Sequence, residues 1–272
     1  LARQAYRSLY GDLTKLKDTS LLNLTGTGDD PELFELLLDI SAWVDRYTDR
    51  HFYPRVQILE FDGSGTPTIL VPDLIAVTTV KQDEGNAGTF EVTWAATDYR
   101  LNPYNSEATE HWGEPYTRLE VRKGGPRTDF ALGESNFEIA GRWGYREFKE
   151  DSGSNIADAG GINATDTTVG VTLGTDFAIG HTILIESEQM LVTNIAANIL
   201  TVRRALNGTT GATHADTTDV FILRWPSPIE RATLINAARL WTRAPDFEPF
   251  YVDQDIDTDV RELLSSYRRL TV

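Results

Sequence analysis

DDPELFELLLDISAWVDRYTDRHFYPRVQILEF, residues 29–61, is the stretch on which the fold turns. Leu33, Leu37, Ile40, Val44 and Tyr47 recur at spacings of four, three, four and three, which places them on one face of a helix. Asp30 suits the N-cap, and Pro31 suits the first helical position, where its missing N–H would have no partner anyway. A helix over 31–49 would be about 28 Å long. After Pro54 the period changes from helical to alternating, so Val56, Ile58 and Glu60-Phe61 predict a strand.

Upstream, a short helix is expected over 9–17, followed by an apolar Leu-Leu-Asn-Leu run and a turn at Gly26-Thr27-Gly28. Downstream, strands are expected over 56–61 and 68–71, joined as a hairpin by Asp62-Gly63-Ser64-Gly65. More are expected over 76–82, 89–94, 118–121 and 137–143, with a long loop over 101–115. Residues 150–168 are small, polar and glycine-containing and read as a linker. From 169 to 224, short β-like runs alternate with turns, which predicts a small all-β barrel or sandwich.

Pro226 and Pro228 then open a helix over 229–243. An acidic, aromatic loop leads to a last helix over 258–270, with a stripe of Val260, Leu263, Leu264 and Tyr267. Arg268-Arg269 at its end complement the helix dipole. The fold class expected is α+β: a helical bundle packed on a small antiparallel β-sheet, with an inserted all-β module. The domains expected are 1–149, an insertion over 150–225, and C-terminal helices over 226–272 that complete the core.

The 272 residues include 40% hydrophobic side chains, enough for globular structure, and no apolar run long enough for a membrane span. No charged-then-apolar leader opens the sequence. With no cysteine, disulfides and thiolate metal sites are excluded. A formal charge of −16 argues against a sequence-specific grip on nucleic acid, which needs clustered cations; a surface past which DNA slides is compatible with it. His51, His111, His181 and His214 lack metal-ligand spacing. There is no nucleophile elbow, P-loop or dinucleotide fingerprint. Asp253, Asp255, Asp257 and Asp259 lack the glycine and terminal glutamate of a calcium loop and read as a helix-start cluster. No enzyme activity, cofactor or metal is expected. The six tryptophans read as core and subunit-contact residues.

Several pieces together resemble the head–tail connector (adaptor) proteins of long-tailed double-stranded-DNA bacteriophages. They are Gly26-Thr27-Gly28-Asp29-Asp30 before the helix, then Tyr47, Thr48, Arg50 and Phe52 at its exit. Phe61-Asp62-Gly63, Pro72-Asp73-Leu74, Asp98-Tyr99-Arg100-Leu101, the strand end Gly141, Trp143, Gly144 and Tyr145, and the helix from Pro228 follow in order. The resemblance covers about 10–146 and 226–270 and departs from the family where 150–224 intervenes. Within that insertion, Arg203-Arg204-Ala205-Leu206-Asn207-Gly208-Thr209-Thr210 and His214-Ala215-Asp216 are similar to an R-G-x-x-G-T-T…H-x-x-G element of phage virion proteins. Ala205 and Thr217 stand where that element has glycine.

The resemblance implies a structural virion protein of the neck, made in the host cytoplasm: a ring of about twelve subunits below the portal that joins capsid to tail. Its partners would be the portal protein, a tail-proximal neck, stopper or tail protein, and the capsid through the insertion. DNA would pass through the ring without sequence-specific binding, and no membrane is involved. Portal docking is expected of Val260, Leu263, Leu264, Tyr267, Arg268 and Arg269, and subunit contact of Glu35, Trp43, Arg46 and Asp49. The rival readings are a carbohydrate- or receptor-binding virion module and a tail-completion or baseplate component.

Overall fold

The structure, a computed structural model, describes residues 6–243 and 258–269. The chain divides into two compact units, His51–Phe148 on the one hand and Leu1–Arg50 with Lys149–Val272 on the other.

The 51–148 unit is a six-stranded antiparallel sheet. Its strands are β1 (Arg55–Gly63), β2 (Thr68–Gln82), β3 (Val92–Trp94), β4 (Tyr99–Asn102), β5 (Tyr116–Val121) and β6 (Gly133–Trp143). They run in the order β1-β6-β2-β5-β4, with β3 on β2. Side chains alternate across a strand, so β1 turns Leu59 and Phe61 inward and leaves Val56 and Ile58 exposed. Leu59, Ile139 and Val80 stand side by side across β1, β6 and β2. The core mixes aliphatic side chains with an aromatic cluster: Trp94 stacks on Phe130 at 4.9 Å, and Phe137 meets Trp94 edge-on at 5.5 Å.

The hairpin expected at Asp62-Gly63 does not form, because β6 lies between β1 and β2. The Asp62 carboxylate accepts the Ser135 N–H at 2.7 Å, and the Gly63 N–H donates to Asn136 Oδ1 at 2.7 Å. A Cβ on Gly63 would lie 1.7 Å from the Ala131 carbonyl oxygen, so the Asp-Gly pair serves a close approach to β6. The runs 68–71 and 76–82 are one strand, β2. Pro72 sits where β2 changes partner from β5 to β6, a bulged point at which its missing N–H leaves no gap in either ladder.

The other unit holds α1 (Leu13–Lys17), α2 (Asp30–Thr48), α3 (Ser227–Arg243) and α4 (Thr258–Ser265). It also holds a second sheet of β7 (Phe148–Asn155), β8 (Thr168–Gly170), β9 (Thr182–Ile185), β10 (Glu188–Ala196), β11 (Ile199–Arg203) and β12 (Asp219–Arg224). Their order is β7-β12-β9-β10-β11-β8. This core is aliphatic but for Phe177, built from Ile183, Ile185, Met190, Val192, Leu200, Val202, Val220 and Ile222. The N-terminal segment ties the sheet to the helices: the Leu13 N–H donates to the Ile179 carbonyl at 3.0 Å, and Ser8 Oγ meets Thr182 Oγ1 at 3.0 Å.

α2 begins at Asp30, one residue before the expected start. Neither Asp29 nor Asp30 caps it through a side chain; the Asp30 carboxylate pairs with Lys17 instead. Leu33, Leu37, Ile40 and Val44 are buried, and each leucine contributes about 1.5–3 kcal/mol by leaving water. Tyr47 is only half-buried. α2 ends on Asp49, which holds a left-handed conformation (φ 53°, ψ 38°).

The expected helical bundle on a small sheet is overturned: the chain is mostly β, with two six-stranded antiparallel sheets and few helices. Part of the difference lies in 150–168. β7 occupies residues up to 155, Ile156 and Ile162 are buried in the second core, and Ile162 bridges to His214. These residues are sheet and core rather than linker.

Candidate functional site

The most concentrated polar chemistry lies in the second sheet, around Glu188 at the head of β10. Glu188 is fully buried and receives five hydrogen bonds. Arg204 grips it with two, Nε to Oε1 at 2.9 Å and Nη2 to Oε2 at 2.6 Å. The backbone N–H groups of Ala205 (3.2 Å) and Ala212 (2.9 Å) add two more. His214 Nε2 completes the set at 2.9 Å, while its Nδ1 lies 2.7 Å from Glu186 Oε2. Burial alone would raise the Glu188 pKa, but the bonds from Arg204, the Ala212 N–H, His214 and the Ala205 N–H outweigh it and hold it below the usual carboxylate value.

This geometry explains the Arg204-to-His214 pattern. Arg204 and His214 anchor the two ends of one loop on one carboxylate. Ala205 (φ 54°) and Thr217 (φ 67°), which stand where the virion element has glycine, both hold positive φ. The cluster is closed: both oxygens of Glu188 accept hydrogen bonds, and His214 is buried. It acts as a staple. No local pattern marks Glu188 as the anchor, because its partners lie 16 and 26 residues away.

A second node lies in the 51–148 unit. The Tyr145 N–H donates to the His51 carbonyl at 2.7 Å, and the Gly144 N–H donates to the Asp73 carbonyl at 2.8 Å. The Phe52 and Tyr145 rings meet at 5.5 Å, and Trp143 Nε1 donates to the Gln57 carbonyl at 3.1 Å. Gly144 has φ 145°, and a Cβ there would lie 2.3 Å from the Tyr53 carbonyl oxygen, so only glycine fits. Three pieces of the resemblance, Phe52, Pro72-Asp73-Leu74 and the strand end over 141–145, thus converge in space.

The residues expected at the portal are placed as follows. Val260 and Leu264 are buried within the chain, and α4 packs on α3, with Arg239 and Asp259 paired at 2.7 Å. Leu263, Tyr267 and Arg269 are half-buried, and the Arg269 N–H donates to the Thr48 carbonyl at 2.8 Å. Arg268 is exposed, with its guanidinium 5.7 Å from the Tyr47 ring. Of the expected subunit contacts, Glu35, Arg46 and Asp49 are exposed, while Trp43 is half-buried and stacked on Tyr47 at 5.2 Å. The aspartates at 253, 255 and 257, and the aromatic loop around them, lie outside the described residues.

Glu35 also lines a groove of about 440 Å³ between α2 and α3. It is lined by the apolar Pro31, Leu36, Leu240 and Trp241 and by the acidic Glu32, Glu35 and Asp39. Among the described residues, no cluster of three or more His, Asp or Glu side chains is arranged to hold a metal. Comparison with protein-family models, with curated proteins and with solved structures finds no match for this chain.

Proposed function

We propose that this protein is a structural component of a phage virion, a head–tail connector that assembles as a ring below the portal and lets DNA pass toward the tail. The observation that carries the reading is the convergence of Phe52, Asp73 and Gly144-Tyr145 on one backbone node, since it gives a structural reason for motif pieces far apart in sequence to occur together. The closed state of the Glu188 cluster supports a scaffold rather than a catalyst. The charge of −16 supports a channel that repels phosphates instead of gripping them.

Portal docking by the last helix is proposed in a narrower form. With Val260 and Leu264 buried against the chain's own core, and α4 ending at Ser265 instead of reaching 270 as expected, the surface proposed for a partner is Leu263 on α4 with Arg268 just beyond it. Truncating the helix would uncover α3, so the test uses Leu263→Asp with Arg268→Glu. Loss of binding to portal-bearing particles with an unchanged thermal midpoint is expected; unimpaired binding contradicts the assignment.

A second reading, a glycan- or receptor-binding virion module, draws on the loop 103–115. Trp112 there is 62% exposed, with its Nε1 held by Glu107 at 2.8 Å, and Tyr104 is 72% exposed. Glycan-array binding lost on Trp112→Ala would favour it.

A further inference from the structure

A ring of identical subunits needs two different, mutually complementary patches on each copy, because a head-to-tail contact joins unlike surfaces. The α2–α3 groove is one such patch. Glu32, Glu35 and Asp39 have neither an ion pair nor a side-chain hydrogen bond among the described residues, and they line it together with the apolar Leu36, Leu240 and Trp241. Residues 244–257, next in the chain after α3, carry five carboxylates and no cation, so their charge does not match the groove.

The opposite patch lies on the outer face of β5. Arg118 and Glu120 stand at alternate positions of β5 and share that face, and Arg122 and Lys123 follow just past the end of the strand. Arg118 stands opposite Leu70 of β2, which is 74% exposed. The one carboxylate here, Glu120, is already held by Arg100 at 3.2 Å and by Asn102 at 3.0 Å. Arg118, Arg122 and Lys123 are exposed and, like the groove carboxylates, have no side-chain partner among the described residues. In a chain with 16 more acidic than basic residues, such a local excess of cations beside an exposed leucine is out of keeping with the rest of the surface.

We propose that the Leu70–Arg118–Lys123 face of one copy seats in the Glu32–Glu35–Asp39 groove of the next, head to tail. Three carboxylates then meet three cations, and the exposed leucine meets the apolar lining. This contact rests on the ring reading and names its subunit interface. It commits the basic face to a second copy of this chain rather than to DNA. Because the pairs lie at a surface, added salt weakens the contact.

Two full-length variants test it: an acid-face variant, Glu32→Lys/Glu35→Lys/Asp39→Lys, and a base-face variant, Arg118→Glu/Arg122→Glu/Lys123→Glu. Both are checked for an unchanged thermal midpoint. Assembly is read by native mass measurement, alone and on portal-bearing particles. Each variant alone is expected to associate on the order of a hundredfold more weakly than the parent chain. The two mixed one to one are expected to assemble again, because reversed faces complement each other, whereas damage to the fold would not be rescued.

Wild-type-like assembly by either variant alone, or a mixture that fails to recover, overturns the contact. The ring reading then survives provided the parent chain still forms rings. A base-face variant that loses binding to a duplex DNA fragment but still assembles assigns that face to DNA and overturns the proposal as well. A parent chain that stays monomeric in both settings removes the contact and the ring together.

Discussion

The two sheets have the same number of strands but hold themselves together by different physics. In the 51–148 unit the core is centred on an aromatic cluster among aliphatic side chains, with Trp94, Phe130 and Phe137 packed face and edge, and Trp94 Nε1 donates to Gln82 at 3.0 Å. In the second sheet the core is aliphatic but for Phe177, and the loop closing it is pinned by the buried Glu188–Arg204 ion pair, with His214 hydrogen-bonded to the same carboxylate. Packing energy depends on shape and is indifferent to pH, whereas a buried carboxylate–guanidinium pair is worth keeping only while both groups keep their charge and partners. The first sheet is therefore vulnerable to cavities, the second to neutralisation.

The largest expected effects separate the two. Glu188→Ala leaves Arg204 and His214 buried without their shared carboxylate and should cost about 3–5 kcal/mol, read by urea denaturation; a loss under 1 kcal/mol would mean that the cluster is solvated or redundant. Phe137→Ala in the first sheet should cost a similar amount, about 3–5 kcal/mol, through the cavity it opens. Hydrogen exchange localises each: Glu188→Ala should expose β9 and β10, Phe137→Ala should expose β2 and β6, and loosening of both sheets by either variant would erase the contrast.

Acid is the next lever. Glu188 and Asp12 both have carboxyls held below their usual values in spite of burial, Glu188 chiefly by Arg204 and Asp12 chiefly by His181 and the Lys15 N–H. A lowered folded pKa means that the stabilisation is full above the unfolded value and is lost as the pH falls through the folded one. In the 51–148 unit the carboxyl of Asp83, buried just past β2, is also lowered, but the N–H groups of Ala87 and Gly88 that it gathers hold the exposed loop after β2 rather than the pairing of β2 with β6. Below about pH 4, amide protection should therefore fall in β9 and β10 before it falls in β2 and β6. Simultaneous loss would contradict this order.

The smallest effect concerns backbone strain. Ala205→Gly, at φ 54°, should stabilise by a few tenths to about 1 kcal/mol, because relief of the left-handed penalty exceeds the entropy that glycine adds to the unfolded chain. A destabilisation would show that the Ala205 methyl contributes packing that its conformation does not reveal.

The features legible in the sequence are those with a local cause. α2 was read to within a residue at each end, because its period and Pro31 are written in adjacent turns. The β-like runs between 169 and 224 all became strands, because apolar residues bounded by turn residues need no distant information. What failed was decided at long range. Asp62-Gly63 looks like a hairpin turn, yet β1 takes β6 from 70 to 90 residues away. β7 was read as a linker because Ser152, Gly153 and Ser154 carry no alternation; as an edge strand paired only with β12, it needs none. The helix-rich fold class failed with these two. The Glu188 cluster and the α2–α3 groove exist only once α2 meets α3 and β10 meets the 204–214 loop; of the groove's residues the sequence points only to Glu35 as a contact.

The most direct test is to image portal-bearing particles incubated with the purified chain and to count the copies bound at the portal vertex. A closed ring of about twelve copies on the portal is the predicted result. Particles whose portal vertex stays bare at saturating protein, with the chain folded and monomeric in solution, would contradict the connector reading.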